Sequence, residues 1–219
     1  MPTDIATQAI DTIALLLMGS AVGLVLLRRV GDYVWVVVLQ GALLTGASLV
    51  EALTTGEAHA FAALAVTLGV KAIGVPAVLA YALRKLAGQR EAGVVLSHKL
   101  SFIAACGLTM LAYDAAVPVV GASGALPPNA LPAAIAMLLL GLLTMASRRH
   151  ALTQVVGLTV VENGIYFGAL VATRGLPIVV ELGVAADILV GAVVMALVAR
   201  NIHLAIDSTS VDDLRTLRH

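Results

Sequence analysis

At 219 residues, the chain is 60% apolar and only 12% charged, with a mean hydropathy of +1.02 and no net formal charge. A water-soluble domain is about a quarter charged and about half apolar, so a soluble class is excluded and most of the chain is expected to face lipid. The neutral balance offers no basic surface to nucleic acid, and a single cysteine, Cys106, can neither close an internal disulfide nor hold a thiolate-ligated cluster.

With roughly 20 apolar residues needed per crossing, the runs at about 5–27, 33–54, 60–83, 100–120, 131–146, 151–173 and 177–200 predict seven transmembrane helices. The first run lacks a basic leading segment and ends on Arg28 and Arg29 instead of a small-residue cleavage site, so it is expected to stay in the mature protein. The third carries Lys71 at its centre, followed by Gly74 and Pro76, which are expected to break the helix beside the charge and bare backbone groups to the interior. Pro127, Pro128 and Pro132 mark a turn and a helix start before the short fifth span. Gly164 and Gly168 form a GxxxG step in the sixth, a sign of close helix packing.

Orientation follows from the basic residues. Of thirteen Lys and Arg, eleven fall on one side of a seven-span topology, at 28, 29, 84, 85, 90, 99, 148, 149, 200, 215 and 218; Arg174 falls on the other and Lys71 in mid-span. Short cytoplasmic loops carry excess positive charge. The fold expected is therefore an all-α, polytopic integral membrane protein with its N-terminus outside and its C-terminus cytoplasmic. Residues 1–130 hold four N-terminal helices, 131–204 a three-helix unit and 205–219 a cytoplasmic tail.

Spans one to three and five to seven read as two copies of one unit. Each begins with a helix ending in a basic pair, Arg28 and Arg29 or Arg148 and Arg149, and a shared Leu-Gly-Val precedes Lys71 in one copy and Asp187 in the other. Chance likeness between apolar helices is the competing explanation.

Four ionisable residues lie well inside spans: Lys71, Asp114, Glu162 and Asp187. At roughly 2.5–3.5 kcal/mol per mid-bilayer charge, none is expected to face lipid alone. In the sixth span Thr159, Glu162 and Tyr166 share one helical face with Asn163 beside it, a polar stripe able to hold water. Glu162 and Asp187 come to within one or two turns of the same depth in antiparallel neighbours, so that two carboxyls could pass protons between them. The bland alternative is that each acid pairs with a cation or caps a helix. A plain ion pair between Lys71 and Asp114, on adjacent helices, would account for both. Asp11, Glu51 and Glu181 read as solvated helix ends. His59, His98, His150, His203 and His219 fall near loops or termini, which argues against haem or metal ligation.

The stretch from about Met137 to Asp213, with GLTVVENG around Glu162, AADILVG around Asp187 and the Ile206-Asp207-Ser208 tail, resembles the K subunit of bacterial respiratory complex I. The added N-terminal helices and the total length resemble hydrogenase-4 component E, of the formate hydrogenlyase type. In the K subunit the acid of the middle helix usually follows the Gly-Leu pair directly, where Thr159 stands here; Glu162, three residues on, keeps a similar face about 4.5 Å along the axis. Asp187 stands where the family generally has Glu.

The resemblance implies a multi-pass inner-membrane subunit of a complex I-like NiFe-hydrogenase, without catalytic residues, metal or cofactor of its own. It implies Glu162 and Asp187 as proton-relay carboxyls with Lys71 as a third member, and Thr159, Asn163, Tyr166 and Asp114 in support. Antiporter-like and quinone-module-like membrane subunits and a hydrogenase-like peripheral arm are the implied partners, the tail and the 84–99 loop being placed to touch that arm. A subunit of a multisubunit cation/proton antiporter shares the three-helix unit and is the alternative, with a stand-alone transporter beside it.

Overall fold

The computed structural model describes residues 3–27, 30–86, 97–123, 126–148, 150–173, 183 and 186–196. These form α1 (Thr3–Leu26), α2 (Val30–Thr55), α3 (Ala58–Thr67), a π-helical segment (Leu68–Gly74), α4 (Val75–Leu86), α5 (His98–Ser123), α6 (Ala130–Ser147), α7 (Ala151–Thr173) and α8 (Ala186–Ala196). Six stretches of the described residues are long and apolar enough to cross a membrane, and α3, the π segment and α4 together make the third of them. The protein is thus all-α and polytopic. Of the seventh expected span only residue 183 and α8 are described; Arg28, Arg29, Arg174, Glu181, Arg200 and the tail lie outside the described residues.

The helices overrun the apolar runs by a few residues at most ends, because a helix keeps its backbone bonds until water or a cap can replace them. α2 stops at Gly56, whose φ of 69° suits glycine, and its N–H reaches the Ala52 carbonyl at 3.0 Å. Asn129 stands at the N-cap position of α6, without a side-chain capping bond, where the prolines placed a turn.

α1 packs on α2, α5 and α6, and α2 on the π segment, α4 and α7, while α6 and α7 form the closest pair. Small residues let this last pair approach. A Cβ on Gly141 would meet the Gly157 carbonyl at 2.7 Å, and one on Gly164 the Ala134 carbonyl at 2.8 Å. Glycine at 141, 157 and 164 therefore brings backbone against backbone, the packing expected of small residues in lipid.

Two polar clamps hold α1 parallel to α6. At one end, buried Arg148 donates from Nη2 to the Val25 and Leu27 carbonyls at 3.2 and 2.6 Å, and the Tyr33 hydroxyl donates to the same Leu27 carbonyl at 2.9 Å. These carbonyls lie where α1 ends, the place at which a helix leaves carbonyls to outside donors, so a cation suits both the bonds and the helix dipole. At the other end, Asp11 accepts from the Asn129 backbone N–H at 2.9 Å and from its side-chain amide at 3.1 Å, and Tyr113 donates to Asn129 Oδ1 at 3.0 Å. Asp11 is thus half-buried and bonded where the sequence suggested a solvated end, because α6 begins beside it.

Candidate functional site

The third span does not break at Gly74 and Pro76. It widens into the π segment, and the reason is local: Pro76 has no N–H for the Ala72 carbonyl, and the Val75 N–H reaches back five residues to the Val70 carbonyl. The extra residue in the turn pushes the Lys71 backbone toward α2. It meets Gly41 there, and a Cβ at that position would collide with the Lys71 carbonyl. Glycine at 41 is what lets the bulge form against its neighbour.

The bulge carries Lys71 into the bundle, where it is buried among acids. Its Nζ donates to Glu162 Oε1 at 2.5 Å, to Asp187 Oδ1 at 3.1 Å and, at 3.4 Å, to Asn163 Oδ1, and it lies 5.1 Å from the centre of the Tyr166 ring. All five residues are at most 8% exposed. One ammonium therefore faces two carboxylates, and Glu162 Oε2 meets no hydrogen-bond partner among the described residues. Lys71 is the middle residue of its span and Glu162 lies at the middle of the span 152–173, so the triad sits at the midplane.

Two polar arms leave it in opposite directions. In one, Asn163 donates from Nδ2 to Gln40 Oε1 at 3.0 Å, Gln40 donates from Nε2 to Ser20 Oγ at 3.0 Å, and Ser20 donates to the Leu17 carbonyl at 2.6 Å. Gln40 and Ser20 lie about 4.5 and 7.5 Å from their span midpoints, toward the face where α1 ends. In the other arm the Tyr166 hydroxyl bonds Thr67 Oγ1 at 2.6 Å and Ser48 Oγ at 3.3 Å. These three lie about 5–7.5 Å from their midpoints toward the opposite face. The arms differ in chemistry. A hydroxyl both donates and accepts, whereas a side-chain amide has a fixed donor end and a fixed acceptor end.

Of the residues singled out from sequence, Lys71, Glu162, Asp187, Asn163 and Tyr166 come together. Thr159 is buried on the same face of α7, but its hydroxyl is spent on the Val155 carbonyl of its own helix at 3.1 Å. Asp114 is not with them, and the Lys71–Asp114 pair does not form: α5 turns Asp114 outward, to an exposed position, and Lys71 takes the acids of α7 and α8 instead. Gln40, Ser20, Ser48 and Thr67 join them without a charge to mark them in the sequence. Gln40 had a signal, as the one amide inside the apolar run VWVVVLQGALL. Among the described residues no group of three His, Cys, Asp or Glu side chains is placed to hold a metal ion.

The chain is similar to known proteins over most of its length. It is 32% identical over 180 residues, 82% of each chain, to a Mycobacterium tuberculosis protein named Uncharacterized protein Rv0085. It is also 32% identical over 151 residues, 68% of each chain, to hydrogenase-4 component E of Escherichia coli and of Shigella flexneri. No family model matches the chain, and no solved structure matches it.

Proposed function

Because the chain belongs to the hydrogenase-4 component E family, we propose that it is a membrane-arm subunit of a complex I-like NiFe-hydrogenase of the hydrogenase-4 or formate hydrogenlyase type, in which its buried carboxyls take part in proton translocation. In this reading it lies in the cell inner membrane with its N-terminus outside and its tail in the cytoplasm. It carries no catalytic residue of its own. Electron transfer belongs to a hydrogenase-like peripheral arm, and antiporter-like and quinone-module-like subunits lie beside it in the membrane.

The observation that carries the reading is the triad, Lys71 between Glu162 and Asp187 at the midplane. One ammonium balances one carboxylate, and in a low-dielectric setting the second is electrically neutral only with a proton on it. The triad is therefore a holder of one exchangeable proton. Glu162 Oε2, with no partner among the described residues, is the oxygen at which it can rest. The proton passes between Glu162 and Asp187 as Lys71 shifts its hydrogen bonds from one to the other, and Tyr166, Asn163 and Thr159 hold the stripe in place.

The test uses Glu162→Gln and Asp187→Asn, singly, in the assembled complex. Each is expected to leave assembly intact and to lower proton movement into closed vesicles at least tenfold per redox turnover. Unchanged coupling in both variants refutes the relay, and recovery of a tagged chain without any hydrogenase-like or antiporter-like subunit refutes membership of the complex.

A further inference from the structure

Asp114 lies about 5 Å from the midpoint of the span 99–122, yet it is exposed on the outer surface of α5. Carboxylates at that depth are not left in hydrocarbon. No partner meets it among the described residues, where Lys71, the cation within about one turn of its depth, is spent on Glu162 and Asp187. Lys99, on the same helix, is fifteen residues away at the membrane edge. The backbone repeats the message at the same turn: Pro118, four residues on, has no N–H to give the Asp114 carbonyl. A carboxylate and a carbonyl deprived of its helical donor thus mark one spot. Around it the surface is apolar, with Met110 and Val117, one turn to either side, 70% and 62% exposed. α5 also has the smallest buried share of the six spans, 17%.

We propose that this face of α5 seats a transmembrane helix of a different subunit, which presents a lysine or arginine to Asp114. The charge selects the occupant. A lipid headgroup does not reach this depth, and a second copy packed on the same face about a two-fold axis would set Asp114 toward its own image. A cationic side chain donates to both acceptors, and the apolar rim closes around it as small and large residues do between packed helices. Asp114 is then an interface residue, separate from the relay.

This inference rests on the reading of the chain as a complex subunit, and the test separates the two. A photo-crosslinking amino acid is placed at 110 or 117 in the tagged full-length chain, expressed with its complex. Illumination is expected to join it to another multi-span subunit, at a peptide within two turns of a Lys or Arg. Asp114→Lys should lower that adduct at least tenfold, and changing the partner's basic residue to Asp should restore it. A second arm guards against misfolding: Asp114→Leu should leave the isolated chain in detergent melting at or above the wild-type temperature while lowering recovery of the partner subunit at least tenfold. Adducts with lipid alone, adducts with a second copy, or a yield indifferent to Asp114→Lys overturn the proposal. If subunits co-purify but α5 labels none of them, the interface fails and the functional reading stands; if nothing co-purifies, both fail.

Discussion

Replacing Lys71 by Met keeps the length and apolar stem of the side chain and removes the charge that two acids share. Glu162 and Asp187 are 8% and 5% exposed, and each has an oxygen on the Lys71 ammonium, at 2.5 and 3.1 Å. Removing one partner of a buried ionic group costs about 3–5 kcal/mol, because the charge left behind has nothing to replace its counter-ion. For a chain of this size each kcal/mol moves the melting temperature by about 2–4 °C, so Lys71→Met is expected to melt roughly 6–20 °C lower. Circular dichroism of the purified chain in one fixed detergent reads this directly. The geometry makes a second demand: Lys71 and Glu162 belong to one buried network, so the cost of Lys71→Met in a Glu162→Gln background must differ from its cost alone by at least about 0.5 kcal/mol. Strict additivity of the two substitutions, or a loss under about 0.5 kcal/mol for Lys71→Met, would show that the ammonium is not the shared counter-ion.

Gly41→Ala sets a methyl against the Lys71 carbonyl and should cost about 1–3 kcal/mol by overpacking, whereas Gly46→Ala, whose nearest neighbour would be an Ile13 methyl at 3.7 Å, should change the melting temperature little; equal effects at the two sites would remove the special role of Gly41. Arg148→Ala strips two bonds from the end of α1 and is expected to lower stability by about 1.5–3 kcal/mol, with Arg148→Lys recovering part of it; thermal melts of both variants check this. In the assembled complex, Thr67→Val should slow proton movement by interrupting the hydroxyl arm, while Gln40→Leu should lower the melting temperature and keep most of the transport, because an amide cannot hand a proton on. Vesicle proton uptake compared between those two variants decides it, and the reverse order would assign conduction to the amide arm.

The spans were legible because lipid imposes one rule on every residue that faces it, so the apolar runs located helices to within a few positions. The site was legible in its charged members for the same reason: Lys71, Glu162 and Asp187 stood out against an apolar background. Partner choice was not. Lys71 could have met Asp114 or the acids of α7 and α8, and the decision lies in which way the chain turns at residues 68–74. Pro76 and Gly74 announced a disturbance there, but whether a helix breaks or widens depends on what lies opposite, and Gly41 is thirty residues away in sequence. The neutral polar residues Ser20, Ser48 and Thr67 left the weakest trace. Serine and threonine hydroxyls can be satisfied by their own helix, as Thr67 also bonds the Ala63 carbonyl, so their presence in a span does not announce a network.

The boundary expected between residues 130 and 131 runs through the triad. The segment 131–204 supplies two carboxyls and, among its described residues, no cation at their depth; the cation comes from the third span, and Gln40, Ser20, Ser48 and Thr67 come from the first three helices as well. Without the N-terminal helices, the two carboxyls of this unit would have no counter-ion at their depth among the described residues. Lys71 and Asp187 each follow a Leu-Gly-Val in their own helix, and the two meet at 3.1 Å. The second acid, Glu162, makes that pair a triad of two carboxyls on one ammonium, the feature on which the proposed relay rests.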